Sequence, residues 1–209
     1  MTIYTEPYFI LEEECYAIKN KVLELKDLWD NYTSPIPFST LGNALYLMEA
    51  EGLSSARINY SVKETLTENF GWLYQKICDK VSVMTGCNTQ LHPTLTVPGF
   101  HIGNTPGDYK IDRFHIDASI LRYDPQSDIE TVYSILIPIS IPRTFGAGLQ
   151  YMKDGKQFRF TYELGAFHQW KGDLEHKVGD SILFESEHRI TLQCHYYHNK
   201  VNDINYVYF

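Results

Sequence analysis

An α+β fold is what the sequence predicts, and three features predict it. Apolar residues recur at helical spacing through roughly the first third of the chain. From Leu91 onward the pattern changes to short β-rich runs punctuated by Gly, Pro and Asp. No internal repeat, low-complexity tract or linker separates the two regions. Residues 1–209 therefore read as one domain, with 1–90 as mainly helical support and 91–209 as the β core.

The elements follow in order. Leu11 to Trp29 carries Ile18, Val22, Leu25 and Leu28 at three- and four-residue spacing, and Glu12 to Glu14 suit a helix start. Pro35 and Pro37 break the pattern. A second helix is expected over Leu41 to Glu49, stopping near Gly52. The longest spans Val62 to Met84, where Leu66, Phe70, Leu73, Ile77, Val81 and Met84 form one stripe and Gly86 ends it. Strands are expected at Leu95–Val97, Phe114–Leu121, Thr131–Ile141, Gly148–Met152 and Gln157–Tyr162, with Lys153-Asp154-Gly155-Lys156 as a hairpin turn. Arg189–Tyr197 and Ile204–Phe209 close the chain. Helices first and many short antiparallel strands afterwards describe a sandwich or barrel with helical backing.

Composition bounds the function. With 44% hydrophobic and 21% charged residues, the chain is an ordinary globular protein and an ordered fold is expected throughout. The net charge of −8 and the lack of clustered Lys and Arg argue against a nucleic-acid partner. The first ten residues lack a basic segment and apolar run, and no stretch approaches the ~20 apolar residues of a membrane span, so a cytoplasmic location without membrane contact is expected. Cys15, Cys78, Cys87 and Cys194 form no CxxC pair and read as reduced thiols, with neither a zinc site nor a disulfide framework indicated.

The chemistry centres on Phe114-His115-Ile116-Asp117. A His and an Asp two apart on an extended segment point to the same side and can grip one ion. A second imidazole would complete a set that leaves adjacent coordination positions open, as iron(II) needs when a cosubstrate and O2 bind together. Taken alone, the pair reads equally well as a hydrogen-bonded surface contact.

The segment from about 91 to 197 resembles the iron(II)- and 2-oxoglutarate-dependent oxygenases. Besides His115 and Asp117, the resemblance rests on Thr131–Pro142, the Gly-rich turn Gly146-Ala147-Gly148-Leu149, and Gly165-Ala166-Phe167-His168-Gln169-Trp170. It continues through Leu174-Glu175-His176-Lys177-Val178 to Arg189, thirteen residues beyond His176. It implies a double-stranded β-helix (jelly-roll, cupin-like) core buttressed by the N-terminal helices. It also implies iron(II), 2-oxoglutarate and O2 as cofactors, and His115, Asp117 and His176 as catalytic metal ligands. Arg189, assisted by Thr191, would receive the distal carboxylate of 2-oxoglutarate, because a guanidinium matches a carboxylate with paired donors.

Alternation along the final long strand puts Arg189, Thr191, Gln193 and His195 on one polar face, which suits either a cavity wall or a sheet face open to water. His188 competes with His176 as the distal ligand, since Gly179-Asp180 and the strand after it lead to His188 in a similar way; that choice leaves Lys200 as the downstream cation. His92, His101, His168 and His198 read as structural or pocket-lining residues, and His195 as pocket-lining. Tyr109, Arg113, Gln193 and His195 are candidate substrate contacts, with Arg57 and Asp112 behind them.

The reaction that the resemblance implies is hydroxylation, desaturation or cyclisation of a small polar substrate, with release of succinate and CO2. There is a faint further likeness to the branch that oxidises or halogenates free amino acids, although Asp117 stands where a halogenase has a small residue. Two other readings are a cupin-like metalloenzyme that does not use 2-oxoglutarate and a noncatalytic β-sandwich binding module.

Overall fold

The computed structural model describes residues 3–33, 37–50, 59–109, 113–125, 127–143 and 148–209, with the side chains of 48–50 and 108–109 outside the description. The chain opens with a short strand, β1 (Tyr4–Glu6), and helix α1 (Glu12–Glu24), followed by a single 3-10 turn at Lys26–Leu28. The Glu14 carboxylate accepts from the Leu11 N–H at 2.8 Å and so caps α1 with its own third residue. Next come β2 (Asp30–Tyr32), β3 (Phe38–Leu41), α2 (Leu45–Ala50) and the long α3 (Tyr60–Thr85). The side chain of Asn59 caps the start of α3, and Gly86, at φ 73°, ends it in the left-handed conformation that glycine takes without a Cβ penalty.

Strands then dominate: β4 (Asn88–Leu91), β5 (Gly99–Gly103), β6 (Gly107–Tyr109), and, after the one-turn helix α4 (Ile120–Tyr123), β7 (Val132–Ser140). The series runs on through β8 (Gly148–Lys153), β9 (Lys156–Thr161), β10 (Phe167–Lys171), β11 (His176–Val178) and β12 (Ser181–Leu183), and ends with β13 (Arg189–Asn199) and β14 (Ile204–Tyr208). The main sheet is ordered β1-β10-β7-β13-β5-β3-β2, with β14 and β4 continuing beside the far half of β13. A second sheet is ordered β11-β8-β9, and His115 bridges onto His176 at its edge. Along the chain the strands switch repeatedly between these sheets: β5 main, His115 second, β7 main, β8 and β9 second, β10 main, β11 second, β13 main. This is the winding of a double-stranded β-helix, backed by helices from the first part of the chain.

Period-2 alternation divides the main sheet into two faces. Phe100 and Ile102 of β5, Ile135 and Ile137 of β7, and Leu192 and Cys194 of β13 join one buried cluster with Ile18 and Val22 of α1 and the Leu66, Phe70, Leu73, Ile77 and Val81 stripe of α3. Phe70 packs on Phe100 with ring centroids 4.8 Å apart. Each such side chain contributes about 1.5–3 kcal/mol by leaving water, which is why the helical layer stays on this face. The opposite face, carrying His101, Ser134, Thr191 and His195, lines the space between the sheets. The β13 ladder slips by one residue between Ile190 and Thr191, opposite Pro138, which has no N–H to offer.

Several boundaries differ from the sequence reading. The helix expected from Leu41 starts at Leu45, because Leu41 ends β3 paired with Phe100 and the chain turns at Gly42. Leu95–Val97 is not a strand. Pro98 follows it, and its polar groups are met by side chains: Lys63 Nζ reaches the Leu95 carbonyl at 2.8 Å, and the Thr96 hydroxyl joins the Phe209 backbone at 3.1 Å. Phe114–Leu121 pairs with another strand at His115 alone. Beyond it the Asp117 N–H turns to the Gly172 carbonyl at 2.8 Å, and Ile120–Tyr123 is helical. Among the described residues no helix is long and apolar enough to cross a membrane.

Candidate metal centre

His115 and His176 exchange both backbone hydrogen bonds at 2.9 Å, so the two imidazoles leave neighbouring edges of the second sheet together, ring centroids 4.5 Å apart. Two residues on, Asp117 swings beneath them. Its Oδ1 lies 3.9 Å from His115 Nε2 and its Oδ2 3.4 Å from His176 Nε2. One ligand atom from each of the three residues falls within 4.8 Å of the others, a spacing that one divalent ion can span.

The surroundings point these groups at a common centre. His176 is buried, its Nδ1 donates to the Leu174 carbonyl at 2.8 Å, and Trp170 meets its ring edge-on at 5.3 Å. With Nδ1 tied to that carbonyl, Nε2 is the nitrogen turned toward Asp117 and the one a metal ion would take. The Ser134 hydroxyl donates to Asp117 Oδ2 at 2.5 Å, and the same hydroxyl is 3.1 Å from His195 Nδ1. Burial alone would raise the Asp117 pKa, yet His176, His195 and His115 and the Ser134 hydroxyl together hold it at about 2. The carboxylate is thus anionic over the whole physiological range.

β13 carries the second half of the site. Arg189 is only 7% exposed, and no described carboxylate pairs with it; its guanidinium sits 5.7 Å from the Tyr162 ring. Arg189 Nε and Thr191 Oγ1 are buried without a hydrogen-bond partner among the described residues, and the buried Tyr162 hydroxyl has only the Arg189 guanidinium beside it. A buried cation ringed by unmet polar atoms fits an anionic, oxygen-rich ligand, because leaving such groups unpaired costs about 1–3 kcal/mol each. His101, on β5 opposite Thr191, accepts or donates at Nε2 with Tyr46 Oη at 2.7 Å. Burial, reinforced by the Arg189 charge, pushes its pKa down to about 3, so it is neutral.

A narrow pocket opens beside Asp117, walled by Leu45 and Tyr46 of α2, Ser119, His195, Tyr208 and Phe209. His195 therefore lines the pocket, and Gln193 lies on the same face beside His101. Arg113 is exposed and does not line it. The side chain of Tyr109 and the residues Arg57, Asp112, Gly146 and Ala147 lie outside the described residues. His188 is not brought to the centre: it lines a separate surface cavity with Lys19, Arg143 and Glu187, and its carbonyl accepts from the Ser140 hydroxyl at 2.7 Å. Ser134, Tyr46 and Tyr162 went unnoticed in the sequence. Of these only Ser134 carries a signal, as a hydroxyl in the middle of an otherwise apolar run on the inward face of β7.

No protein-family model matches the chain, and no curated protein matches it by sequence. Solved structures do. A Pseudomonas putida prolyl-4-hydroxylase is 12% identical with a TM-score of 0.50, over 91% of this chain and 89% of its own. A 2OG-Fe(II) oxygenase family oxidoreductase from Burkholderia pseudomallei is 12% identical with a TM-score of 0.58, over 91% and 83%. The non-heme alpha ketoglutarate dependent epimerase SnoN from nogalamycin biosynthesis is 9% identical with a TM-score of 0.53, over 93% and 79%. At these identities the likeness is one of architecture, and the chain has the double-stranded β-helix fold of these proteins.

Proposed function

We propose that the chain is an iron(II)- and 2-oxoglutarate-dependent oxygenase, with His115, Asp117 and His176 holding the metal and Arg189 and Thr191 holding the cosubstrate. The observation that carries this reading is the buried Arg189 without a described counter-ion, on the strand that passes the His-Asp-His cluster. A guanidinium offers two parallel donors to a carboxylate, and Thr191 Oγ1 and Tyr162 Oη supply further hydrogen-bonding groups.

When bound, iron(II) with 2-oxoglutarate and O2 supplies oxidising power for an unactivated C–H bond, at the expense of 2-oxoglutarate becoming succinate and CO2. The chain's own part is positioning. Ser134 holds Asp117, the Leu174 carbonyl holds His176, and the aromatic walls from Tyr46, Tyr208 and Phe209 keep water from the pocket. The Tyr46 hydroxyl, held by neutral His101 from behind, stands in the pocket wall beside Asp117, where it can meet a polar substrate. Hydroxylation is the reaction this reading takes first, with desaturation or cyclisation open to the same centre, on a small polar substrate such as an amino acid or its derivative.

Anaerobic addition of iron(II) and 2-oxoglutarate should produce a visible metal-to-ligand charge-transfer band. Asp117→Ala should lose that band and all substrate-coupled succinate formation. Iron binding without any 2-oxoglutarate-dependent band would overturn the assignment.

A further inference from the structure

A second group of ligand atoms lies far along the chain from the first. Cys87, just after the end of α3, meets His198 of β13 and Asp203 of the β13–β14 turn, with Sγ, an imidazole nitrogen and a carboxylate oxygen all within 4.8 Å of one another. Cys87 is the one cysteine of the four that is not buried. His198 Nε2 and Asp203 Oδ1 are 3.5 Å apart.

The hydrogen bonds behind His198 decide which nitrogen is free. The Thr85 hydroxyl donates to the Val81 carbonyl at 2.8 Å, and the Thr89 hydroxyl donates to the Cys87 carbonyl at 3.3 Å. Both hydroxyl protons are thereby committed, and each oxygen can only accept from Asn205 Nδ2, at 2.8 and 3.2 Å. Asn205 is 1% exposed, so its amide is locked with Oδ1 turned to His198 Nδ1 at 3.2 Å. An amide oxygen cannot donate, so Nδ1 must carry the proton. Nε2 is thereby the nitrogen turned to the Asp203 carboxylate and the Cys87 thiol, and it is the one a metal ion would take. A buried amide that fixes the tautomer of a histidine from behind is the usual support of a ligating imidazole.

The turn supports the third ligand. Asn199 Oδ1 accepts from the Val201 and Asn202 N–H groups at 3.0 and 3.1 Å, and Asp203 takes the left-handed conformation, φ 53°, that aspartate tolerates in turns, with its carboxylate beside His198.

We propose that Cys87, His198 and Asp203 form a zinc site, open to solvent at its fourth position. A thiolate, an imidazole and a carboxylate are the donors Zn2+ takes, at about 2.3, 2.0–2.1 and 2.0–2.2 Å in a tetrahedral shell, and binding releases the Cys87 thiol proton to water. The ion would clamp the end of α3 to the β13–β14 hairpin, where β4 and β14 run parallel. The site is independent of the oxygenase reading, because none of its residues touches the His115 centre.

Cobalt(II) is the probe, since a thiolate–cobalt bond absorbs in the near-ultraviolet and the His-Asp-His centre contains no sulfur. Metal-free protein titrated with Co2+ should develop this band, and added Zn2+ should remove it. The band should persist in Asp117→Ala and disappear in Cys87→Ser. His198→Gln should not reach the wild-type absorbance at the concentration that saturates the wild type. Asn205→Ala should weaken cobalt binding by about 10–100-fold. In the unsubstituted protein Zn2+ should also shield Cys87 from iodoacetamide. The proposal is overturned by the absence of a thiolate band in wild type with excess Co2+, by a band that survives Cys87→Ser, or by alkylation of Cys87 that zinc leaves undiminished.

Discussion

The two oxygens of Asp117 do different work. Oδ2 accepts from the Ser134 hydroxyl while facing His176, and Oδ1 turns to His115, so the carboxylate is oriented before any ion arrives. Fixed orientation matters because a ligand held in place loses no rotamer freedom on binding. His176 is prepared in the same way by the Leu174 carbonyl, whereas His188 faces another cavity. His176→Ala should therefore abolish iron binding and His188→Ala should leave it at the wild-type level, as read by isothermal titration; the reverse order would refute the ligand set. Arg189 is the corresponding residue on the cosubstrate side. Arg189→Ala should raise the 2-oxoglutarate KM roughly 10–100-fold, the equivalent of about 1.5–3 kcal/mol for a charge-assisted hydrogen bond, with iron affinity little changed. Arg189→Lys should recover part of the loss, because an ammonium keeps the charge and forfeits the fork. An unaltered 2-oxoglutarate KM in Arg189→Ala would remove the residue from the site.

At the level of elements, the site depends on how closely the segment after His115 lies against the turn following β10. The Asp117 N–H donates to the Gly172 carbonyl, and the Gly172 N–H donates to Val132, both at 2.8 Å. A Cβ at residue 172 would come 2.9 Å from the Asp117 carbonyl oxygen and 2.7 Å from Val132 Cγ1. Gly172→Ala should therefore push Asp117 off its station, costing roughly 1–3 kcal/mol of stability in urea unfolding and loosening iron binding as well; tight iron binding at unchanged stability would show that the approach is not needed. Nothing in the sequence marks Gly172, because the contact joins residues far apart in the chain. The long elements were legible for the opposite reason. α3, β7 and β13 each repeat their pattern over several periods, and the Arg189-Thr191-Gln193-His195 face follows directly from alternation. Phe114–Leu121 misled because apolar and polar residues alternate there while the backbone pairs only at His115. His176 opens a strand of three residues, too short to show any period, and its place beside His115 comes from the sheet crossing. Tyr46 reaches the pocket from a helix whose own spacing says nothing about the barrel.

For the whole molecule, the two-faced main sheet has an electrostatic consequence. One face is spent on the helical layer, so much of the chain's imidazole is enclosed between or beside the sheets. Burial lowers the pKa of His168 to about 4, that of His92 to about 4 and that of His101 to about 3, from an ordinary value near 6.5. His168 is fully buried; its Nδ1 meets the Thr5 hydroxyl at 3.1 Å and its Nε2 accepts from the Glu163 N–H at 3.5 Å, an arrangement that a second ring proton would break. Each of these groups has a folded-state pKa below its unfolded value. Between about pH 6.5 and pH 4 the unfolded chain therefore binds more protons than the folded one, and stability falls as the pH falls through that window. Each histidine contributes a slope of up to about 1.4 kcal/mol per pH unit, and ordinary carboxylates titrate mostly below the upper part of the window. Urea unfolding of the metal-free protein at pH 7.5, 6.5 and 5.5 should show nearly constant stability above pH 7 and a steep decline below 6.5. His168→Gln should flatten that decline by about one proton's share while keeping a hydrogen-bonding group opposite Thr5. A stability curve level down to pH 5 would mean that these imidazoles are hydrated in solution, and that the space between the sheets is wetter than its packing indicates.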